Sequence, residues 1–327
     1  MEILFNMNVT PIYPASSPQY IAQATTILKQ EEVIVFPTET VYGLGGDATS
    51  DIAVAKIYAL KNRPTFNPLI IHVATLAAAE KLAMFSADAK KLAKLFWPGP
   101  LTLVLPRQPD CPVSLLACAG QSTIALRIPK HPAALELIRL FGKPIAAPSA
   151  NKSGKISPTQ AIDVAQDFEG QIPFILDGGA CLIGLESTII DLSTSQPTIL
   201  RQGGITQEQL EAVIPLSSLN SSLIKAPGMM KSHYAPTLPV RLDVTHINAG
   251  EGLLAFGPVP QKLKQAKLIY NLSEAGNLTE AAANFFKGLR LLDQPDQLQQ
   301  IAVMSIPHCG LGRAINDRLQ RAAAERN

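Results

Sequence analysis

From about residue 19 to 214 the chain alternates short apolar runs with stretches of helical period, the pattern of an α/β sheet domain. Strand-length runs fall at Val33–Phe36, Leu69–Val73, Leu101–Leu105, Thr123–Ile128, Pro144–Ala147, Phe174–Leu176, Thr188–Leu192 and Thr198–Arg201. Helical candidates span 19–29, 51–62, 75–84, 87–96, 132–141, 159–167 and 206–213. The runs at 188–192 and 198–201 are joined too tightly for a helical crossover, so the sheet is predicted to be mixed, with flanking helices. Periodicity is lost over 215–239, where a serine-rich stretch gives way to Pro227, Gly228, Pro236 and Pro239, and this segment reads as a linker. Beyond it, Gly252–Phe256, Lys267–Leu272 and Ile301–Ile306 read as buried strands that alternate with helices near 278–292 and 311–324. That order predicts a smaller Rossmann-like αβ sandwich. The predicted organisation is a first domain over 1–214, the linker over 215–239 and a second domain over 240–327.

Composition supports two packed domains. The 327 residues are 47% hydrophobic and 17% charged, a globular rather than a disordered balance. A net charge of +2, without a long Lys/Arg run, excludes a nucleic-acid coat and leaves room only for a local basic site. Cys111, Cys118, Cys181 and Cys309 are scattered without a CxxC pair, so neither a disulfide framework nor a zinc site is indicated. Met1–Asn6 has no basic and apolar leader pattern, and no run of about 18 apolar residues suggests a membrane span. The expectation is a cytoplasmic protein with no membrane contact.

The candidate chemistry gathers at strand ends. Pro37-Thr38-Glu39-Thr40-Val41-Tyr42-Gly43-Leu44-Gly45-Gly46 follows the first apolar run and reads as a glycine-rich loop, either a structural turn or a cradle for a small polar or anionic ligand. It matches neither a Walker A loop nor GxGxxG. Lys61 and Arg63 close a helix that Ser50 caps and Pro64 interrupts, where they either complement the helix dipole or face an anion. Asn67 and His72 stand at the two ends of the next strand. Arg127 lies inside an apolar strand, where a buried guanidinium demands an anion: a structural Asp or Glu, or a substrate carboxylate. Ser149, Asn151 and Lys152 fill a loop at a strand exit, and Ser157 and Thr159 open the following helix, a place that favours phosphate. Gly184-Leu185-Glu186-Ser187-Thr188 and Arg201-Gln202-Gly203-Gly204 repeat the pattern. No Ser-His-Asp order, HExxH or cysteine nucleophile is present, so the expected catalysis is electrostatic, acting on a phosphate-bearing substrate whose leaving group is stabilised by Lys/Arg and metal.

Taken in order, FPTETVYGLG, KNRP followed by NPLIIH, WPGPLTLVL, ALRIP, PIAAPSAN and GLESTIID resemble the threonylcarbamoyl-adenylate synthase family. Pro227-Gly228-Met229, His233-Tyr234-Ala235-Pro236 and the run from Gly310 to Arg318 extend the resemblance over nearly the whole chain, in the two-domain form with a YrdC-like catalytic domain. The resemblance implies condensation of L-threonine, bicarbonate or CO2, and ATP with Mg2+ into threonylcarbamoyl-AMP and pyrophosphate, a nucleotidyltransferase reaction. This is the first step of threonylcarbamoyl modification of the adenosine at tRNA position 37. It further implies that Thr40, His72, Arg127, Ala147 and Ser187 contact threonine. Arg63, Asn67, Thr123, Ser149, Asn151, Ser157 and Arg201 would contact ATP, and Lys61 and Arg63 would be catalytic. No protein side chain is expected to bind the metal, which would arrive on the ATP phosphates. Met229-Met230-Lys231-Ser232 departs from the family pattern before His233-Tyr234, and the segment around them is expected to act as a lid. Downstream tRNA threonylcarbamoyl-transfer proteins are the implied partners, with at most weak or indirect contact to tRNA or double-stranded RNA. The alternative from residue types alone is a double-stranded RNA-binding or ribosome-associated module using Lys56, Lys61, Arg63, Lys130, Lys152 and Lys155 as a basic patch.

Overall fold

The computed structural model describes residues 10–217, 227 and 233–324, so most of the predicted linker, including Met229 to Ser232, lies outside the described residues. Ten strands in the described residues before it form one mixed sheet: β1 (Ile12–Pro14), β2 (Ile34–Phe36), β3 (Gly43–Asp47), β4 (Ile70–His72), β5 (Leu101–Pro106), β6 (Thr123–Arg127), β7 (Ile145–Ala146), β8 (Ile175–Asp177), β9 (Thr188–Asp191) and β10 (Thr198–Arg201). Their order is β1-β8-β2-β3-β7-β4-β6-β5-β9-β10. The tight β9–β10 connection is antiparallel, as its length predicts, and carries a bulge between Ile199 and Arg201. Helices α1 (Pro18–Lys29), α2 (Asp51–Lys61), α3 (Leu76–Glu80), α4 (Ala87–Phe96), α5 (Pro132–Phe141), α6 (Ala161–Phe168) and α7 (Gln207–Glu211) flank it.

Period-two alternation divides each strand between two faces. Leu44, Ile71, Leu103, Leu126 and Ile190 point to one face and form the main core with Ile57, Leu92, Val164 and Phe168. On the opposite face α1 and α5 cover Ile34, Phe36, Ile145 and Phe174. The same face on β4, β6, β5 and β9 holds a separate small cluster of Ile70, Val104, Ala125 and Ile189. His72, Arg127 and Thr102 share this face by alternation, which puts the polar candidates beside an apolar strip at the edge of the α1–α5 cover.

The glycine run is not a loop. Residues 43–47 are a strand, β3, paired antiparallel to β2 with Val35 opposite Leu44. The turn before it is made by Thr38, whose Oγ1 accepts from the Thr40 and Val41 amides at 3.2 Å each. The glycines give room instead: a Cβ on Gly45 would lie 2.6 Å from the Phe36 ring, and one on Gly46 would lie 3.3 Å from Ala53 and Ile57 of α2. The phosphate reading of the helix opening after Ser157 also changes. Gln160, not Ser157 or Thr159, is the N-cap of α6, and Asp163 Oδ2 already accepts from the Thr159 and Gln160 amides at 3.1 Å each.

The smaller domain has β11 (Val240–Arg241), β12 (Glu251–Ala255), β13 (Leu268–Asn271) and β14 (Gln300–Val303) in the order β11-β14-β12-β13, all parallel, with α8 (Leu278–Leu292) and α9 (Leu311–Ala323). Its core of Leu254, Phe285, Phe286, Leu289 and Ile315 continues into Val41, Ile156 and Leu185 of the first domain, with Tyr234 between them. Arg290 of α8 locks the junction with a bidentate pair to Asp167 at 2.9 and 2.7 Å and a bond to the Ile156 carbonyl at 2.7 Å. Gly184 lets the first domain touch α8, since a Cβ there would stand 2.5 Å from the Ala282 carbonyl oxygen.

Candidate active site

Strand exits deliver the polar groups to one cavity. It is lined by Thr38, Val41, Tyr42, Gly43, Arg63, Ile70, His72, Arg127, Ala147, Pro148, Ser149, Glu186, Ser187, Arg201, Pro227, His233 and Tyr234, and encloses about 40 Å³. That is room for no more than a few waters.

Of the residues expected at the site, Arg63, His72, Arg127, Ala147, Ser149, Ser187, Arg201, His233 and Tyr234 line the cavity. A second ring stands behind them. Lys61 is buried and its ammonium donates to the Ser149 carbonyl at 2.6 Å and to the Asn151 carbonyl. Burial, then the neighbouring Arg63 charge, pushes its pKa well below the usual lysine value. Asn67 orients Arg63, accepting at Oδ1 from Nη2 at 2.6 Å and at its carbonyl from Nε at 3.0 Å. The helix-end geometry that brings Lys61 and Arg63 here comes from Asn62, which terminates α2 in the left-handed region at φ 48°. Thr40 Oγ1 lies 2.8 Å from Thr38 Oγ1, Asn151 Nδ2 folds its own loop by donating to the Lys152 and Lys155 carbonyls, and Ser157 Oγ donates to Glu186 Oε1 at 2.7 Å. Thr123 is not brought to the cavity. It sits on the same face as Arg127 but four residues back along β6, roughly 13 Å at the strand rise.

Arg127 finds its anion within the fold. Nη2 donates to Glu39 Oε1 at 2.7 Å and Nε to the Gly99 carbonyl at 3.2 Å, while Glu39 Oε2 accepts the Lys130 amide at 2.9 Å. Burial alone would raise the Glu39 carboxyl, but the Arg127 charge and these bonds hold it below the usual range. The structural partner weighed for Arg127 is therefore present, and it is a glutamate to which the sequence reading gave no role. Arg201 is held from the other side, with Nε and Nη2 on the Ser187 carbonyl at 3.1 and 2.9 Å and Nη2 on Ser187 Oγ at 3.1 Å. Thr102 Oγ1, 2.7 Å from Ser187 Oγ, completes that chain.

Three guanidinium groups thus face a cavity whose lining carboxylate, Glu186, is already paired, as is Glu39 beside Arg127. The balance suits an anion with several oxygens. Two neutral imidazoles stand among the cations. Burial, then the Arg127 charge, lowers His72 to about 3, and burial lowers His233 to about 3 against the pull of Glu186. Their Nδ1 atoms and Asn151 Oδ1 are buried without hydrogen-bond partners among the described residues, so polar capacity remains for a ligand.

The residues that the sequence pattern did not disclose are two acids, Glu39 and Glu186, and two partners from elsewhere in the chain: Thr102, and Arg318, which reaches Glu186 from α9 at 3.1 Å. The signal for the first two was a lone glutamate inside otherwise uncharged motifs, PTET and GLEST. The RNA-binding alternative loses members, because Lys61 and Arg63 turn inward and Lys56 pairs with Glu32 at 2.6 Å. Among the described residues no group of three His, Cys, Asp or Glu side chains could hold a metal, and no helix is long and apolar enough to cross a membrane.

Known proteins resemble this chain in sequence and in fold. A family model described as "Telomere recombination" matches residues 26–203, and one described as "Threonylcarbamoyl-AMP synthase, C-terminal domain" matches residues 205–324. The threonylcarbamoyl-AMP synthase of Bacillus subtilis (strain 168) is 43% identical, with 98% of this chain and 97% of that protein aligned. The Pyrococcus abyssi (strain GE5 / Orsay) threonylcarbamoyl-AMP synthase is 40% identical over 93% of this chain and 94% of its own. The crystal structure of P. abyssi Sua5 complexed with L-threonine superimposes with a TM-score of 0.86 at 38% identity, covering 96% of this chain and 97% of that one. The chain belongs to the threonylcarbamoyl-AMP synthase family.

Proposed function

We propose that the chain is an L-threonylcarbamoyladenylate synthase, which converts L-threonine, bicarbonate or CO2, and ATP to threonylcarbamoyl-AMP and pyrophosphate. The observation that carries this reading is the convergence of Arg63, Arg127 and Arg201 with the Ser149 and Ser187 hydroxyls on one cavity. Arg127, His72, Ala147 and Ser187 form the amino-acid side, with Thr40 supporting it through Thr38. Arg63, Ser149 and Arg201 form the nucleotide side, supported by Asn67, Asn151 and Ser157; Thr123 serves the nucleotide at the far end of the strip of Ile70 and Ala125. The threonine nitrogen bonds to the carbon of CO2 and loses a proton, and a carbamate oxygen then attacks the α-phosphorus as the bond to pyrophosphate breaks. Charge grows on the leaving pyrophosphate, where Arg63 stands as a fixed cation and Lys61, behind it, adds its charge once freed from its two carbonyls. Mg2+ enters as part of the substrate, held by phosphate oxygens.

In this reading the reaction is a nucleotidyl transfer, and separate proteins pass the product to the adenosine at tRNA position 37. His233 and Tyr234 are the wall that must move, a role supported by the small enclosed volume they help to close. The purified chain with Mg·ATP should release pyrophosphate only when both L-threonine and bicarbonate are added. Release that is indifferent to threonine would overturn the reading.

A further inference from the structure

Arg318 heads the largest side chains that the fold buries completely, and it belongs to the smaller domain rather than to the one that carries the strand-end motifs. Gly312 sets the seat of its helix, since a Cβ there would lie 1.9 Å from the Pro307 carbonyl oxygen. From α9 the guanidinium crosses the domain junction. Nε and Nη2 donate to Glu186 Oε2 at 3.2 and 3.1 Å, and Nη1 donates to the Gln202 carbonyl and to Asp317 Oδ2. Its Cζ also lies over the Tyr234 ring, 5.5 Å from the centroid.

The two first-domain partners have a common position. Glu186 immediately precedes Ser187 at the entry to β9, and Gln202 immediately follows Arg201 at the exit of β10. Arg318 therefore grips the chain on either side of the Ser187–Arg201 pair that lines the cavity. It also fixes Glu186 so that its other oxygen accepts Ser157 Oγ. A buried cation of this kind is costly unless paired, and most of its pairing lies across the junction.

We propose that Arg318 is a positioning residue of the active site, through which the smaller domain holds Glu186, Ser187 and Arg201 in working geometry. The inference rests on the reading of the cavity as the threonine and ATP site. Without Arg318, Glu186 is left as a buried carboxylate with Arg201 as the remaining guanidinium acting on it. It then draws Arg201 away from Ser187 and from the nucleotide. The damage comes from charge, so removing the charge should repair it.

Full-length Arg318→Met, Arg318→Lys, Glu186→Gln and the Arg318→Met/Glu186→Gln double variant test this. The readouts are Mg·ATP and L-threonine affinity by calorimetry, pyrophosphate release from pH 5.5 to 8.5, and the thermal midpoint. Arg318→Met should lose at least thirtyfold in ATP affinity and in kcat/KM at pH 8, with the deficit shrinking toward pH 5.5 as the unpaired Glu186 takes up a proton. The double variant should recover at least fivefold over Arg318→Met and lose that pH dependence. A merely structural role gives a deficit equal at every pH and a double variant worse than either single, and that result overturns the proposal. If Arg318→Met does not fold, Arg318→Lys carries the comparison: at least a tenfold loss of ATP affinity at an unchanged midpoint supports positioning, and wild-type affinity refutes it. A wild-type chain that binds both ligands but releases no pyrophosphate fails the functional reading alone, with the binding arms still deciding the role of Arg318. Binding of neither ligand removes both.

Discussion

At the scale of single residues, Arg127 shows what one side chain in a sequence can and cannot disclose. An arginine among Thr123, Ile124, Ala125, Leu126 and Ile128 announces a buried cation and hence an anion. Which anion was not legible, because Glu39 stands 88 residues away and meets Arg127 only when β2 and β6 share a sheet. Arg127 uses Nη2 for Glu39 and Nε for Gly99 while still lining the cavity, a division of donors that a single ammonium cannot copy. Arg127→Lys keeps the charge for Glu39 and gives up the fork. A hydrogen bond to a charged group is worth about 1.5–3 kcal/mol, which corresponds to roughly 10- to 100-fold in affinity. Steady-state pyrophosphate release should therefore show the KM for threonine raised at least tenfold, with the KM for ATP within about threefold of wild type. Equal rises in both constants would take Arg127 out of the amino-acid side.

Among the elements, the apolar runs disclosed strands wherever side chains carried the alternation, and the glycine run hid one. β3 has Gly43, Gly45 and Gly46 among five residues, so it offers almost no pattern to read, and the three-residue β1 and two-residue β11 are too short to show any. What the glycines do is steric. The Phe36 ring occupies the space over Gly45 and meets His72 edge-on with centroids 6.1 Å apart, so packing under β3 bears on a cavity residue. Gly45→Ala must push Phe36 or Ile145 aside and should cost about 1–3 kcal/mol. Gly43→Ala meets its nearest atoms at 3.4 Å and should cost less, even though Gly43 borders the cavity. Urea unfolding of the two variants checks the order, and a Gly45→Ala chain as stable as the wild type would mean that β3 is not held by close packing. The cation-bearing end of α2 was legible by contrast, because Ser50, Lys61, Arg63 and Pro64 are all local signals.

On the scale of the whole molecule, the two sheets and their order of appearance could be read from the chain, but their union could not. Its contacts, Arg318 with Glu186, Arg290 with Asp167 and Tyr234 with Phe286, join positions more than fifty residues apart in sequence and leave no periodic trace. The union also gathers ionisable groups away from water, which ties folding to pH. His72 and His233 are neutral in the folded chain down to about 3, whereas an unfolded histidine takes up its proton near the usual value of about 6.5. Between those values the unfolded state binds more protons, so stability rises with pH and is lost as pH falls through that window. Each histidine contributes a slope of up to about 1.4 kcal/mol per pH unit. Glu186, held at about 2 by Arg318 and Arg201 against the effect of burial, adds its own loss only below the ordinary carboxylate range, as pH falls toward about 2. The stability of the full chain in urea should therefore drop by about 2–4 kcal/mol between pH 7 and pH 5, before any glutamate contributes. His131, also lowered by burial, adds to the same slope, so a His72→Asn or His233→Gln chain should lose about a third to a half of it whatever its stability at pH 7, whereas a wild-type profile flat from 7 to 5 would mean that the imidazoles are wet and that the wall formed by His233 and Tyr234 stands open in solution.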